Sequence, residues 1–140
     1  MIADPKFETI QSGDAVSFSK TVSEADVYSF AGVSGDFNPI HVDAEFAKKT
    51  RFGQRIAHGI LTASFISTAI GTGLPGKNSL YLSQEMKFMR PVFIGDTLTA
   101  TVTVTEKDVA TRILTLETIV MNQEGKKVLT GSAKVMKLEA

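Results

Sequence analysis

The chain has 140 residues, 43% hydrophobic and 21% charged, which fits one soluble globular domain with a real core and excludes a disordered segment. Fifteen basic and fifteen acidic residues cancel, so no net field draws in nucleic acid or an anionic membrane surface. The absence of cysteine excludes a disulfide scaffold, a thiolate nucleophile and a zinc–thiolate centre.

The opening Met1-Ile2-Ala3-Asp4-Pro5-Lys6 holds no apolar run, so no signal peptide and a cytoplasmic location are expected. Residues 15–22 alternate, with Val16, Phe18 and Val22 on one side, and read as a strand. Ser23-Glu24-Ala25-Asp26 then supplies a helix start, a hydroxyl N-cap followed by carboxylates near the positive end of the dipole. Val27, Phe30 and Ala31 give this short helix its buried stripe, and Gly32, Gly35 and Pro39 are expected to end it. An irregular loop over Asp36–His41 follows. Asp43 to Lys49 makes another short helix, capped by Asp43 and carrying Phe46 and Ala47 inward.

The longest helical pattern runs from about Ala57 to Gly71. Ile60, Leu61, Ala63, Phe65, Ile66, Ala69 and Ile70 cover most of its circumference, which predicts a helix buried nearly all round. His58, Gly59, Thr62, Ser64, Ser67 and Thr68 interrupt the apolar stretch, so a membrane span is not expected. From residue 78 the period becomes two. Residues 79–88, 97–105, 112–121 and 127–137 read as strands, and Thr97 to Thr105 puts its threonines on one face and its aliphatics on the other. Short links make these strands antiparallel. A buried helix needs a curved sheet around it, so the expected class is α+β in a single domain, 1–140, with a core of about 10–137. The sheet would keep an edge, which oligomerisation commonly covers.

Chemistry concentrates in Ser34-Gly35-Asp36-Phe37-Asn38-Pro39-Ile40-His41. An aspartate and a histidine together can hold and relay a proton near neutral pH, and Asn38 adds an amide that can orient either one or a water. Asp-x-Asn-Pro is equally ordinary turn chemistry, so spacing alone leaves both readings open. His58-Gly59 opens the long helix, where free backbone N–H groups can polarise a carbonyl oxygen and glycine admits a ligand closely. The same two residues also suit a plain helix start. Ser64 faces either the site or the neighbouring strands, most helix serines simply bond their own backbone, and no Gly-x-Ser-x-Gly elbow surrounds it to make a nucleophile. Gly71-Thr72-Gly73-Leu74-Pro75-Gly76 lacks the lysine of a phosphate loop and reads as a turn.

The octapeptide, with Arg55-Ile56-Ala57-His58-Gly59-Ile60-Leu61-Thr62-Ala63-Ser64, Leu74-Pro75-Gly76 and Met89-Arg90-Pro91-Val92-Phe93-Ile94-Gly95-Asp96, resembles the MaoC-like (R)-specific enoyl-CoA hydratases. The resemblance implies a hotdog fold, an antiparallel sheet wrapped around a long central helix. It implies reversible hydration of a trans-2-enoyl-CoA to a (3R)-3-hydroxyacyl-CoA, with an acyl-CoA thioester as partner and no metal or redox cofactor. Asp36 and His41 would hold the water, Asn38 and Ser64 would support them, and the Gly59 N–H would take the thioester oxygen. Which of Asp36 and His41 acts as base stays open, because coupled groups titrate as a unit. A homodimer joined edge to edge is implied too. Thioester hydrolysis on the same fold and a non-catalytic acyl-CoA-binding protein are the alternatives.

Overall fold

The computed structural model describes residues 1–139. A single 3-10 turn, Phe7–Thr9, precedes strand β1 (Ala15–Thr21), and three short helices follow: α1 (Glu24–Ser34), α2 (Pro39–Val42) and α3 (Ala44–Lys48). Helix α4 (Gly59–Thr72) leads into β2 (Ser79–Phe88), β3 (Thr97–Asp108), β4 (Ile113–Met121) and β5 (Lys127–Lys137). The five strands form one antiparallel sheet in the order β1-β3-β4-β5-β2. It curls around α4, which packs on β1, β2, β3 and β4. This is the expected α+β hotdog arrangement.

The period-two reading of β3 explains its packing. Leu98, Ala100, Val102 and Val104 are buried against the helix, whereas the threonines between them stay partly exposed. Those threonines are used on the outer face: Thr97, Thr99 and Thr101 each meet a hydroxyl of β1, from Thr21, Ser19 and Ser17, at 2.7 Å. Beneath the sheet Leu114, Leu116, Val120, Leu129 and Val135 join Phe65, Ile66 and Ile70 of α4 in one core. Phe18 and Phe65 meet edge to face, with ring centres 5.9 Å apart. Phe7 also belongs to this core and carries the cations of Lys107 and Arg112 over its ring.

Four local expectations need correction. Gly32 lies inside α1, and the helix ends at Gly35, whose φ of +81° is the left-handed turn a helix stop commonly takes. Pro39 does not keep the next segment irregular. It occupies the first turn of α2, where its fixed φ and missing N–H do no harm. Phe46 is 47% exposed, and Ala47 alone anchors α3. Finally, α4 is buried on one face only. Leu61, Thr62, Phe65, Ile66, Ala69 and Ile70 point into the core, while Ile60 is 54% exposed and Ser67 faces outward. A five-stranded sheet wraps only part of a helix's circumference.

Candidate active site

Asp36 and His41 do meet. The His41 Nε2 and an Asp36 carboxylate oxygen, Oδ2, face each other at 4.0 Å, the imidazole nearly buried and the carboxylate half-exposed. Local turn chemistry sets this up. Gly35 reverses the chain after α1, and the backbone N–H of Asn38 donates to Asp36 Oδ1 at 3.1 Å. Asn38 in turn caps α2 by accepting from the Ile40 N–H at 3.2 Å. The turn reading and the proton-relay reading therefore describe one object. Oδ1 builds the turn and leaves Oδ2 free toward the histidine.

The His41 ring is held from its far side. Its Nδ1 lies 2.7 Å from the Ile56 carbonyl, which can only accept, so Nδ1 carries the proton and donates. In the neutral ring this leaves the Nε2 lone pair facing Asp36. The Ile56 carbonyl is fixed as well: the Ile56 N–H donates to Ile40 O at 3.2 Å, and the Ala57 N–H donates to Val92 O at 2.7 Å. A gap of 4.0 Å is too long for a direct hydrogen bond, and it suits one water bridging two acceptors.

The His58 side chain is the part that sequence reasoning missed. Its Nε2–H donates to the backbone carbonyl of Asp36 at 2.9 Å, and its ring stacks on His41 with centres 3.8 Å apart. Phe30 closes the other side at 4.8 Å. His58 thus touches both members of the pair. A signal existed: imidazole is a poor N-cap, and here it makes no cap bond at all. Asp36, His41 and His58 present ligand-capable atoms within 4.8 Å of one another. The two rings are stacked 28° from parallel, so their in-plane lone pairs run side by side instead of converging on one ion.

With no side-chain cap on α4, its first-turn N–H groups are left to a ligand or solvent. Gly59 lines a cavity of about 290 Å³ together with Thr62, Phe88, Met89, Arg90 and Arg51. Its lack of a side chain leaves room for the Phe88 ring, which a Cβ would approach within 2.8 Å. Thr62 is a second residue the sequence did not single out, buried with its hydroxyl unpartnered among the described residues. Ser64 makes no hydrogen bond to Asp36 or His41 among the described residues. Its hydroxyl donates to Leu61 O at 2.5 Å, the self-bonding common for helix serines.

One further contact ties the two halves of the site together. Arg55 pairs with Glu24, donates to the Tyr28 hydroxyl at 3.0 Å and lies over the Tyr28 ring. The hydrogen bond to Glu24 raises the guanidinium pKa above its ordinary value. The segment carrying Ile56 and His58 is thereby pinned to α1, whose end carries Asp36.

Comparison with known proteins gives a consistent result. A family model described as "MaoC like domain" matches residues 8–125. An (R)-specific enoyl-CoA hydratase of Rhodospirillum rubrum is 49% identical over 130 residues, covering 93% of this chain and 90% of that protein. One from Aeromonas caviae is 43% identical over 128 residues, covering 91% of this chain and 96% of its own. Among solved structures, an R-hydratase of Pseudomonas aeruginosa superposes with a TM-score of 0.91 at 41% identity, covering 96% of this chain and 86% of that one. The A. caviae (R)-hydratase superposes equally well, at 0.91 and 42% identity, covering 94% and 99%.

Proposed function

The chain belongs to the MaoC-like domain family, and on that premise we propose that it is an (R)-specific enoyl-CoA hydratase, a hydro-lyase adding water reversibly to a trans-2-enoyl-CoA to give a (3R)-3-hydroxyacyl-CoA. The observation that carries the site assignment is the 4.0 Å gap between His41 Nε2 and Asp36 Oδ2, each fixed from behind by another bond. A water in that gap gives one proton to each acceptor and keeps its lone pairs for C3 of the conjugated thioester. As the C3–O bond forms, the pair takes one proton from the water and returns one to C2 on the same side. Its net charge is unchanged over the cycle, and the two groups act as a unit.

The negative charge that develops on the thioester oxygen needs a donor, and the uncapped Gly59 N–H beside the cavity is the one we assign. Asn38 and His58 are positioning residues: the first caps the turn carrying His41, and the second holds the Asp36 backbone. The chemistry calls for no metal or redox cofactor, because the thioester already activates the alkene. No helix among the described residues is long and apolar enough to cross a membrane, and cytoplasmic work on acyl-CoA is part of the same proposal. So is a homodimer. β2 is an edge strand with Leu80, Tyr81 and Leu82 exposed, and the outer face of α4 shows Ile60, which a second copy would cover.

Incubation with crotonyl-CoA tests the reaction. Loss of enoyl absorbance without free thiol, giving the (R)-3-hydroxy product, is the expected result. Free thiol would make the chain a thioesterase, and an (S) product would overturn the assignment.

A further inference from the structure

The cavity beside Gly59 has two chemically distinct ends. At its inner end lie buried Thr62, Val92 and Val128. Its outer end is exposed and carries Arg51 and Arg90, one from the loop after α3 and one from the link between β2 and β3. No carboxylate lines this cavity among the described residues. Neither arginine joins any ion pair among the described residues, although the chain as a whole carries as many acidic as basic groups. The Arg51 guanidinium lies 5.0 Å from the centre of the Phe52 ring, which also lines the cavity. Two guanidinium groups without an ion-pair partner among the described residues, at the rim of a mostly apolar slot, form a receptor for anionic oxygens.

The geometry points to Arg51 and Arg90 as the site that takes the phosphates of coenzyme A, with the uncharged pantetheine arm running inward past Phe88 to Gly59. The assignment rests on the hydratase reading and adds the residues that recognise the carrier. It makes the two arginines binding residues, remote from the bonds that change. Their attraction is therefore screened by salt and depends on the phosphates being present.

The test compares crotonyl-CoA with crotonyl-pantetheine, which has the same reacting atoms and no phosphate. The measured quantity is the KM for the pantetheine thioester divided by the KM for the CoA thioester. In Arg51→Gln/Arg90→Gln this ratio is expected to fall about 10- to 100-fold, and in the wild type it falls as salt rises. Arg51→Lys/Arg90→Lys is expected to recover part of it. An unchanged ratio in the glutamine variant overturns the proposal, as does an equal rise of KM on both thioesters. If the wild type hydrates neither thioester, the hydratase reading fails by itself, and calorimetric titration with coenzyme A then decides the site. Weaker binding to the glutamine variant supports it, and equal binding overturns it.

Discussion

Each oxygen of the Asp36 carboxylate has a separate task. Oδ1 accepts the Asn38 N–H and shapes the turn, while Oδ2 faces His41. Asp36→Asn keeps the turn, since an amide oxygen accepts the same bond, and removes the carboxylate from the gap. It is expected to lower the hydration rate about 10²–10⁴-fold with an unchanged circular dichroism spectrum, and His41→Ala should do likewise. Full activity in both variants would remove the pair from the mechanism. At Gly59 an added methyl meets the Phe88 ring, which is 52% exposed and free to swing outward. Gly59→Ala should therefore fold normally yet lose about 10–100-fold in activity, because the displaced ring obstructs the cavity. The double variant Gly59→Ala/Phe88→Ala should recover activity, and no recovery would show that the methyl acts on the reacting centre itself. The sequence exposed Asp36, Asn38 and His41 because their spacing is local. His58 showed only as a poor N-cap, and the Ile56 carbonyl and Thr62 were illegible in it. Their roles depend on where a distant helix start lands, and residue type carries no mark of that.

Helices and strands were legible wherever one face alone is buried. The alternation of β3 showed which of its faces is buried, and β2 and β5 run over the expected residues, whereas β3 continues to Asp108. The failures came where apolar residues face outward: Phe46 on α3 and Ile60 on α4 are as hydrophobic as their buried neighbours. At the element scale α1 offers the cleanest test of what holds the site's entry. Ser23 and Asp26 form a reciprocal capping box, and Lys20 pairs with the Asp26 carboxylate. Ser23→Ala should cost about 1 kcal/mol in urea unfolding. The bond from Lys20, and then the Ser23 N–H, lower the Asp26 pKa in the folded chain. A lowered folded value means the carboxylate stabilises fully above its unfolded pKa of about 3.9 and stops doing so as pH falls through the folded value. Asp26→Asn should accordingly be less stable than the wild type at neutral pH, with the two unfolding midpoints converging in acid. A gap that persists at low pH would assign the loss to packing instead of charge.

At the scale of the whole molecule, one long edge strand and one helix face are only half-covered. Leu80 is 49% exposed and Leu82 43%, so neither supports the folded chain by its own burial. Leu80→Lys should leave thermal stability of the separated chain nearly intact and shift sedimentation from dimer to monomer. A wild-type chain that sediments as a monomer at micromolar concentration would refute the dimer. The sheet order has a consequence of another kind. β1 and β2 follow each other in sequence but occupy opposite edges, and the residues between them carry Asp36, His41, His58 and Gly59. The β3–β4–β5 meander closes through short loops, whereas joining β1 to β3 pairs Ala15 with Thr103 across most of the chain. Loop-closure entropy orders these events. In refolding, amides of β4 should gain hydrogen-exchange protection first, those of β1 and β2 later, and hydratase activity last. The chain becomes an enzyme only when its two ends have been sewn to the same sheet.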